Sequence, residues 1–360
     1  GGEALKTNID GDKNTAIGFQ ALKSFEADTD GHGNNTAVGA EAGEHISTGT
    51  ENVAIGQKAI GNGVTTGNNN IAVGVSAGLS LTAGSDNVVI GSYAGDALNE
   101  GDNNVAIGKF SLSGATIGNS NVAIGNLAMT TNVAADRNVA VGHQALQMMT
   151  AASTADHYNV AVGYNAGNQV TTGVENTIIG GLAGDGITLG ANNVALGYAA
   201  LSTANAGNKS VAIGSGALTV QQPSFAVGGG SYAASGDATI THAANTNIVV
   251  GQVVTSSAAG IPSGATVLSV TDSTHFELSA NTTSSQSGQT LTFTGGIDSY
   301  NTAVGYNAGL NVTTGIANVI MGGLAGDALT TGANNVAVGF GALSAEDGHG
   351  RNVAVGNGTL

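Results

Sequence analysis

The sequence predicts an all-β solenoid, one short unit stacked upon itself many times. Three observations lead there. The first is a pentad, Asn301-Thr302-Ala303-Val304-Gly305 in a clear copy: Asn, a β-branched residue, usually Ala, then Ile or Val, then Gly. It recurs seventeen times, starting at 14, 35, 52, 70, 87, 104, 121, 138, 159, 176, 193, 210, 224, 301, 318, 335 and 352, and most starts lie 17 residues apart. The second is composition: 59 glycines in 360 residues, 41% apolar and only 9% charged. Disorder needs low hydrophobicity with high charge, and collagen needs Gly at every third position with abundant Pro; here Pro223 and Pro262 are the only prolines. Third, Val, Ile, Thr and Gly dominate the repeat and no 3.6-residue stripe survives, which argues against helix. Two short strands per lap, joined by Gly-containing turns, are expected.

Each pentad position has a physical role. In the lap from 52, Val53 and Ile55 point to one face and Ala54 to the other. All three are apolar, so the strand is expected to be covered on both sides, by the chain's own core behind and another surface in front. Val304 takes the place of Ile55 in the lap from 301. Gly56, Gly305 and their equivalents occupy the fifth position in all seventeen copies, which predicts a positive-φ turn or a place without room for a Cβ. Asn heads fifteen copies, Asn52 and Asn301 among them, with Ser210 and Ser224 as the exceptions. Stacked asparagines are expected to hydrogen-bond along the axis as a ladder. The third position is enlarged at Val89, Ile178 and Ile320, where Ser92, Gly181 and Gly323 follow the pentad glycine. A small neighbour is expected to offset each bulky residue.

In order, the chain reads as β-roll repeats over 1–228, a small inserted β domain over 229–299, and resumed repeats over 300–360. Residues 158–201 closely match 300–343, a larger internal duplication. Two spacings widen to 21 residues, before Asn35 and before Asn159, and the extra residues are expected in surface loops. Inside the interruption, alternating runs at 248–255, 266–271, 276–279 and 290–294 predict strands, with a β-turn at Ile261-Pro262-Ser263-Gly264. The opening Gly1-Gly2-Glu3-Ala4-Leu5 looks like the middle of a lap, so the chain is read as a piece of a longer fibre. At a strand spacing of about 4.8 Å, the stacked laps would extend roughly 80 Å.

A net charge of −16 and a pI near 4.4, with 8 Lys and Arg scattered singly, argue against nucleic acid as a partner, because phosphate binding clusters basic residues. No run approaches the roughly 20 apolar residues of a membrane span, and no leader pattern opens the sequence, so membrane insertion is not expected. The absence of Cys fits an exposed protein free of redox chemistry.

The pentad Asn-Val-Ala-Ile-Gly, followed by its Ala-Leu step, resembles the head repeat of trimeric autotransporter adhesins. The 17-residue form, with Thr313-Thr314-Gly315 ahead of the next Asn, is similar to the repeats of bacteriophage tail fibres. This likeness spans about four fifths of the chain. It implies a left-handed parallel β-roll, wound by three identical chains into a homotrimeric rod, in a virion tail fibre or at a cell surface. The implied partners are the chain itself, other fibre or virion proteins, and a host cell-surface glycan or outer-membrane component. Residues 248–296, through Gly260-Ile261-Pro262-Ser263-Gly264 and Leu291-Thr292-Phe293, resemble small β modules embedded in phage virion proteins. The coiled-coil anchor or self-cleaving chaperone domain usual after such repeats is not among these residues.

No enzyme and no cofactor are expected. The seven His (32, 45, 143, 157, 242, 275 and 349) fall at unrelated repeat positions, and no nucleophile, base and orienting acid share a lap. The pentads lack the Gly-Lys-Ser/Thr and helix start of a phosphate loop. Glu26, Asp28 and Asp30 before Gly31 resemble part of a calcium loop whose other ligands are missing, and a solvated acidic loop explains them as well. Ala-Gly-Asp recurs and places Asp96, Asp185 and Asp327 at equivalent sites. In a threefold rod each would form a carboxylate ring able to hold a cation; an exposed turn aspartate is the plainer reading. Phe19, Tyr164, Tyr198, Tyr306 and Phe340 follow the pentad glycine and are candidate sugar-stacking receptor contacts, although Gln57, Lys109 and Asn126 share that slot. The Ser- and Thr-rich interruption reads as a receptor-contact module or as a spacer knob. The leading function is a structural and adhesive fibre of a phage tail or similar virion appendage. The alternatives are the head of a bacterial trimeric autotransporter adhesin and an ice-binding solenoid, for which Thr65-Thr66, Thr171-Thr172 and Thr313-Thr314 supply part of a Thr array.

Overall fold

The computed structural model describes residues 1–26, 33–150, 154–202, 207–233 and 237–360. It comprises two compact units, Gly1–Ala183 and Gly184–Leu360. The fold is all-β, with no helix among the described residues, and each unit is built on a parallel β-solenoid. The extra residues of the two widened laps fall largely at 27–32 and 151–153, outside the described residues.

In the first unit the pentads form three-residue strands from Thr15–Ile17 to Thr177–Ile179, each pairing in parallel with the next. The register keeps like on like: Ala54 pairs with Ala72, and Ile55 with Val73. Every lap bonds both neighbours. Val53 N–H donates forward to Asn70 O at 2.7 Å, and Gly56 N–H donates back to Val38 O at 2.8 Å. The pentad glycine has φ +125° at Gly56 and +144° at Gly305. A Cβ on its equivalent Gly91 would stand 2.6 Å from the Gly108 carbonyl oxygen of the next lap, so the left-handed turn and the absence of room for a side chain both hold.

Only one strand per lap forms in most laps, not the two expected. After the pentad the chain passes through further left-handed residues, Lys58 at φ 57° and Ile60 at φ 47°, and again at Asn69 (φ 58°) before the next Asn. Such residues turn the backbone out of the strand pleat, and each costs a non-glycine residue about 1–2 kcal/mol. Interlap bonds offset this: Ile60 N–H donates to Ala77 O at 3.0 Å. On the opposite arm the laps make isolated parallel bridges such as Ile46 with Thr65, and a two-residue pair, Ala135–Asp136 with Ala155–Asp156.

The interior is narrow. Ala at the third and eighth positions (Ala54 and Ala59, for instance) is fully buried, and in most laps one large side chain fills the remaining space; the two widened laps bury two, Leu22 with Phe25 and Leu146 with Met149. That large residue comes from position nine in some laps and position twelve in others. Leu112 at position nine goes with Ala115 at twelve; Gly95 at nine goes with Leu98 at twelve, and all three apolar side chains are buried. The enlarged third positions are accommodated by this exchange. An added Cβ would stand 2.9 Å from Ile178 Cδ1 at Gly167, 3.0 Å from Ile320 Cδ1 at Gly309, and 3.3 Å from Val89 at Gly95. The offsetting small residue is therefore the glycine at position nine, not the residue after the pentad glycine. The third side chain points inward, while the slot after the glycine lies on the surface.

In the second unit the parallel strands run from Val194–Leu196 to Val353–Val355. Val211 pairs directly with Thr302, so the lap from 210 stacks on the lap from 301. Between them lies an antiparallel sheet of six strands: Ser224–Tyr232, Thr239–Thr241, Val253–Ser256, Val267–Asp272, His275–Leu278 and Gln286–Thr294. The pentad-like 224–228 is not a solenoid lap. Phe225 pairs with Phe293 and Val227 with Leu291 in this sheet, five residues before the expected boundary at 229. The sheet's two outer strands meet: Val253 bridges Thr266, and Val254 N–H donates to Ala265 O at 2.9 Å, closing a small barrel without a free edge. The barrel has its own core, in which Phe276 and Phe293 pack edge to face at 5.5 Å over Ile240, Val254 and Leu291. Ala265 N–H donates to Pro262 O with Gly264 at φ +77°, which places the β-turn at 262–265.

Candidate functional site

The second and fourth pentad residues stand on the outward face of the parallel strands. Among the described residues they are at most partly covered: Ile55 and Ile90 in the first unit are 38% and 37% exposed, and Leu196 and Met321 in the second 42% and 44%. The expected covering on both sides thus holds for one side only within one chain. Branched side chains repeat lap after lap along this face, with Ile71, Val162, Ile179 and Val319 among the exposed ones. A repeated apolar row of that kind, in either unit, marks an interaction face.

Behind that face runs the expected hydrogen-bonded ladder of asparagines, and it is largely buried. Asn70 backbone N–H donates to Asn52 Oδ1 at 3.0 Å, and Asn52 Nδ2 donates to Gly67 O at 2.9 Å. Asn301 repeats the pattern with Asn318 and Gly315. At Ser210 the ladder loses its amide, and Gln221 supplies one. Its Nε2 donates to Ser210 Oγ at 2.7 Å and its Oε1 accepts from Asn301 Nδ2 at 3.2 Å, with the side chain fully buried. The sequence held a signal for this residue: a Gln at position twelve of the one solenoid lap headed by Ser.

The slot after the pentad glycine is on the surface. Tyr164, Tyr198, Tyr306 and Phe340 are all exposed there, as is Phe19, and Tyr164 stacks on His143 at 5.4 Å. Asp96, Asp185 and Asp327 occupy equivalent turns but are half-buried, each with Oδ1 turned inward and lacking a hydrogen-bond partner. Burial raises the carboxyls of Asp96 and Asp185 above the usual aspartate range. Asp28 and Asp30 lie outside the described residues, while Glu26 accepts from the Ile9 and Asp10 N–H groups at 3.2 Å. In two of the pairs the first Thr bonds the neighbouring lap: Thr65 Oγ1 is buried and donates to Leu81 O at 2.8 Å, and Thr313 Oγ1 donates to Thr330 O at 3.0 Å, whereas Thr66, Thr172 and Thr314 face solvent.

Sequence reasoning missed a charged clamp at the foot of the barrel. Lys209 Nζ donates to Asp298 Oδ2 at 2.6 Å, the Tyr300 hydroxyl donates to the same oxygen at 2.8 Å, and Asn208 Nδ2 to Oδ1 at 3.3 Å. Lys209 holds the Asp298 carboxyl below its ordinary range. The first unit repeats the arrangement at the widened lap: Arg137 pairs with Asp156, which accepts from the Tyr158 hydroxyl at 2.9 Å. Beside the Asp298 clamp, Phe225, Asn247, Val249 and Ile297 help to line a cavity of about 370 Å³. Elsewhere Glu346, Asp347 and His349 place ligand-type atoms within 4.8 Å of one another, with His349 Nδ1 already 2.7 Å from Glu346 Oε1. Comparison with protein-family models, curated proteins and solved structures returns no match for this chain.

Proposed function

We propose that this chain is the shaft of a structural and adhesive fibre, a homotrimeric left-handed β-roll of a phage tail or similar virion appendage. One observation carries the reading: the uncovered rows of Ile, Val, Leu and Met on the outward strand face. Soluble chains rarely leave so regular an apolar surface open, and a second and third copy of the same chain offer the same lap spacing to cover it. A closed threefold arrangement satisfies every copy equally, because each presents the same face. The barrel at 224–294 is then a domain inserted between two laps and held away from the shaft's buried face, where it and the outer loops meet a host surface. The function is mechanical display, with other fibre proteins and a host glycan or outer-membrane component as partners. The ice-binding reading is disfavoured by Thr65 and Thr313, whose hydroxyls bond the neighbouring lap and break a flat Thr array.

Light scattering of the full chain tests the proposal. A mass of three times 34.8 kDa is expected, and Ile55→Asp with Ile90→Asp should lower it by placing carboxylates on the covered face. A folded monomer for the parent chain sinks the reading.

A further inference from the structure

The aromatic slot in the second unit has a period of its own. On five adjoining laps the residue after the pentad glycine, or its equivalent, is Tyr198, Ser215, Tyr306, Gly323 and Phe340. Adjacency is fixed by backbone bonds: Gly216 N–H donates to Tyr198 O at 2.9 Å, Asn307 to Ser215 O at 2.9 Å, Leu324 to Tyr306 O at 2.8 Å, and Gly341 to Gly323 O at 3.0 Å. Rings therefore stand on every second lap, about 9.6 Å apart at the spacing of parallel strands. All three face solvent, at 61%, 61% and 60% exposure for Tyr198, Tyr306 and Phe340. Small residues leave troughs between them. A Cβ on Gly323 would lie 3.5 Å from Phe340 Cδ2, so the ring lies beside the glycine.

The row is also uncharged. None of the five residues, nor those that follow them (Ala199, Gly216, Asn307, Leu324 and Gly341), carries a charge, on a chain whose net charge is −16. Such a chain repels an acidic polymer and leaves this row to a neutral one.

We infer that this row binds an extended, neutral, β-1,4-linked polysaccharide lying along the direction in which the laps stack. A pyranose with equatorial substituents has an apolar face of axial C–H bonds that packs on an aromatic ring. In a flat β-1,4-linked chain successive sugars alternate by half a turn, so every second sugar presents the same face. That disaccharide repeat is close to the two-lap spacing of the rings. A helical α-linked chain does not keep this register. The inference deepens the proposed host-surface contact and rests on that reading.

Calorimetric titration of the full chain with chitohexaose and cellohexaose tests it. At least one hexasaccharide, which reaches all three rings, is expected to bind about tenfold more tightly than its trisaccharide, which reaches two. Tyr306→Ala should weaken that binding by about tenfold or more, Tyr306→Trp should preserve it, and maltohexaose should not bind. The inference is overturned if neither hexasaccharide binds, if maltohexaose binds equally, or if Tyr306→Ala leaves binding unchanged. It is also overturned if Tyr306→Ala dissociates the assembly in sedimentation, which would put the ring between copies of the chain. Failure of the fibre reading shows separately, as a monomeric parent chain.

Discussion

Gln221 donates from Nε2 to Ser210 Oγ at 2.7 Å, replacing within one lap the amide that the ladder lacks. Its Oε1 then receives Asn301 Nδ2 from the next lap, so one buried side chain rejoins the two laps that flank the barrel. Gln221→Ala leaves the Ser210 hydroxyl unpaired in the interior and removes one of the two bonds of Asn301 Nδ2, which keeps Gly315 O; an unpaired buried polar group costs about 1–3 kcal/mol. Thermal melting is expected to show that loss. Ser210→Asn added to Gln221→Ala recreates an ordinary lap, with Leu218 at position nine over a small residue, and should recover most of it. A double variant no more stable than Gln221→Ala would show that the amide's place in the ladder is not what matters.

The pentad glycine allows a sharper comparison. At Gly91, φ is +136° and a Cβ would stand 2.6 Å from the Gly108 oxygen. Gly91→Ala therefore forces backbone apart in a left-handed turn, with an expected loss of about 3 kcal/mol or more. Gly323 differs: an added Cβ meets nothing closer than 3.5 Å. Gly323→Ala should change stability by about 0.5 kcal/mol or less. Similar unfolding midpoints for the two variants would contradict this account of why Gly recurs.

Much of this was legible because repetition amplifies weak local signals. Asn at the head and Gly fifth each recur in register, so the ladder and the turn could be read from one lap and checked against the rest. Less was legible where two positions trade one job. Leu112 with Ala115 and Gly95 with Leu98 fill the same volume by different routes, and spacing alone does not show which side chains meet. Gly181 and Gly323 looked like the compensation for Ile178 and Ile320 because they are near in sequence, yet that slot lies on the surface while the third side chain points into the core. The clamp of Lys209, Asp298 and Tyr300 joins residues about ninety apart, beyond the reach of any periodic reading.

That exchange of positions is itself testable. Leu81 at position twelve is buried beneath Gly78 at position nine. Leu81→Ala should cost about 2–5 kcal/mol through the cavity it leaves. Gly78→Leu added to it refills the space as Leu112 does above Ala115, and Leu112 already holds a left-handed φ of 51° at that position. The double variant is expected to regain more than half the loss in denaturant unfolding. Additive losses would mean that positions nine and twelve do not share one cavity.

The inward aspartates give a pH dependence whose sign is fixed by their surroundings. Burial raises the Asp96 and Asp185 carboxyls above their ordinary value of 3.8, so the folded chain favours the protonated form more than the unfolded chain does. The stability this confers is complete below the unfolded value and is lost as pH rises through the folded one. Asp96→Asn is neutral throughout and removes that loss at its own lap. Relative to the variant, the parent's melting temperature should fall as pH is raised from the acid range toward neutrality, with the two closest in acid. Repulsion among the other carboxylates acts on both proteins alike, so it leaves the difference between them intact. Melting curves that shift in parallel across the whole pH range would mean the Asp96 oxygen is solvated after all.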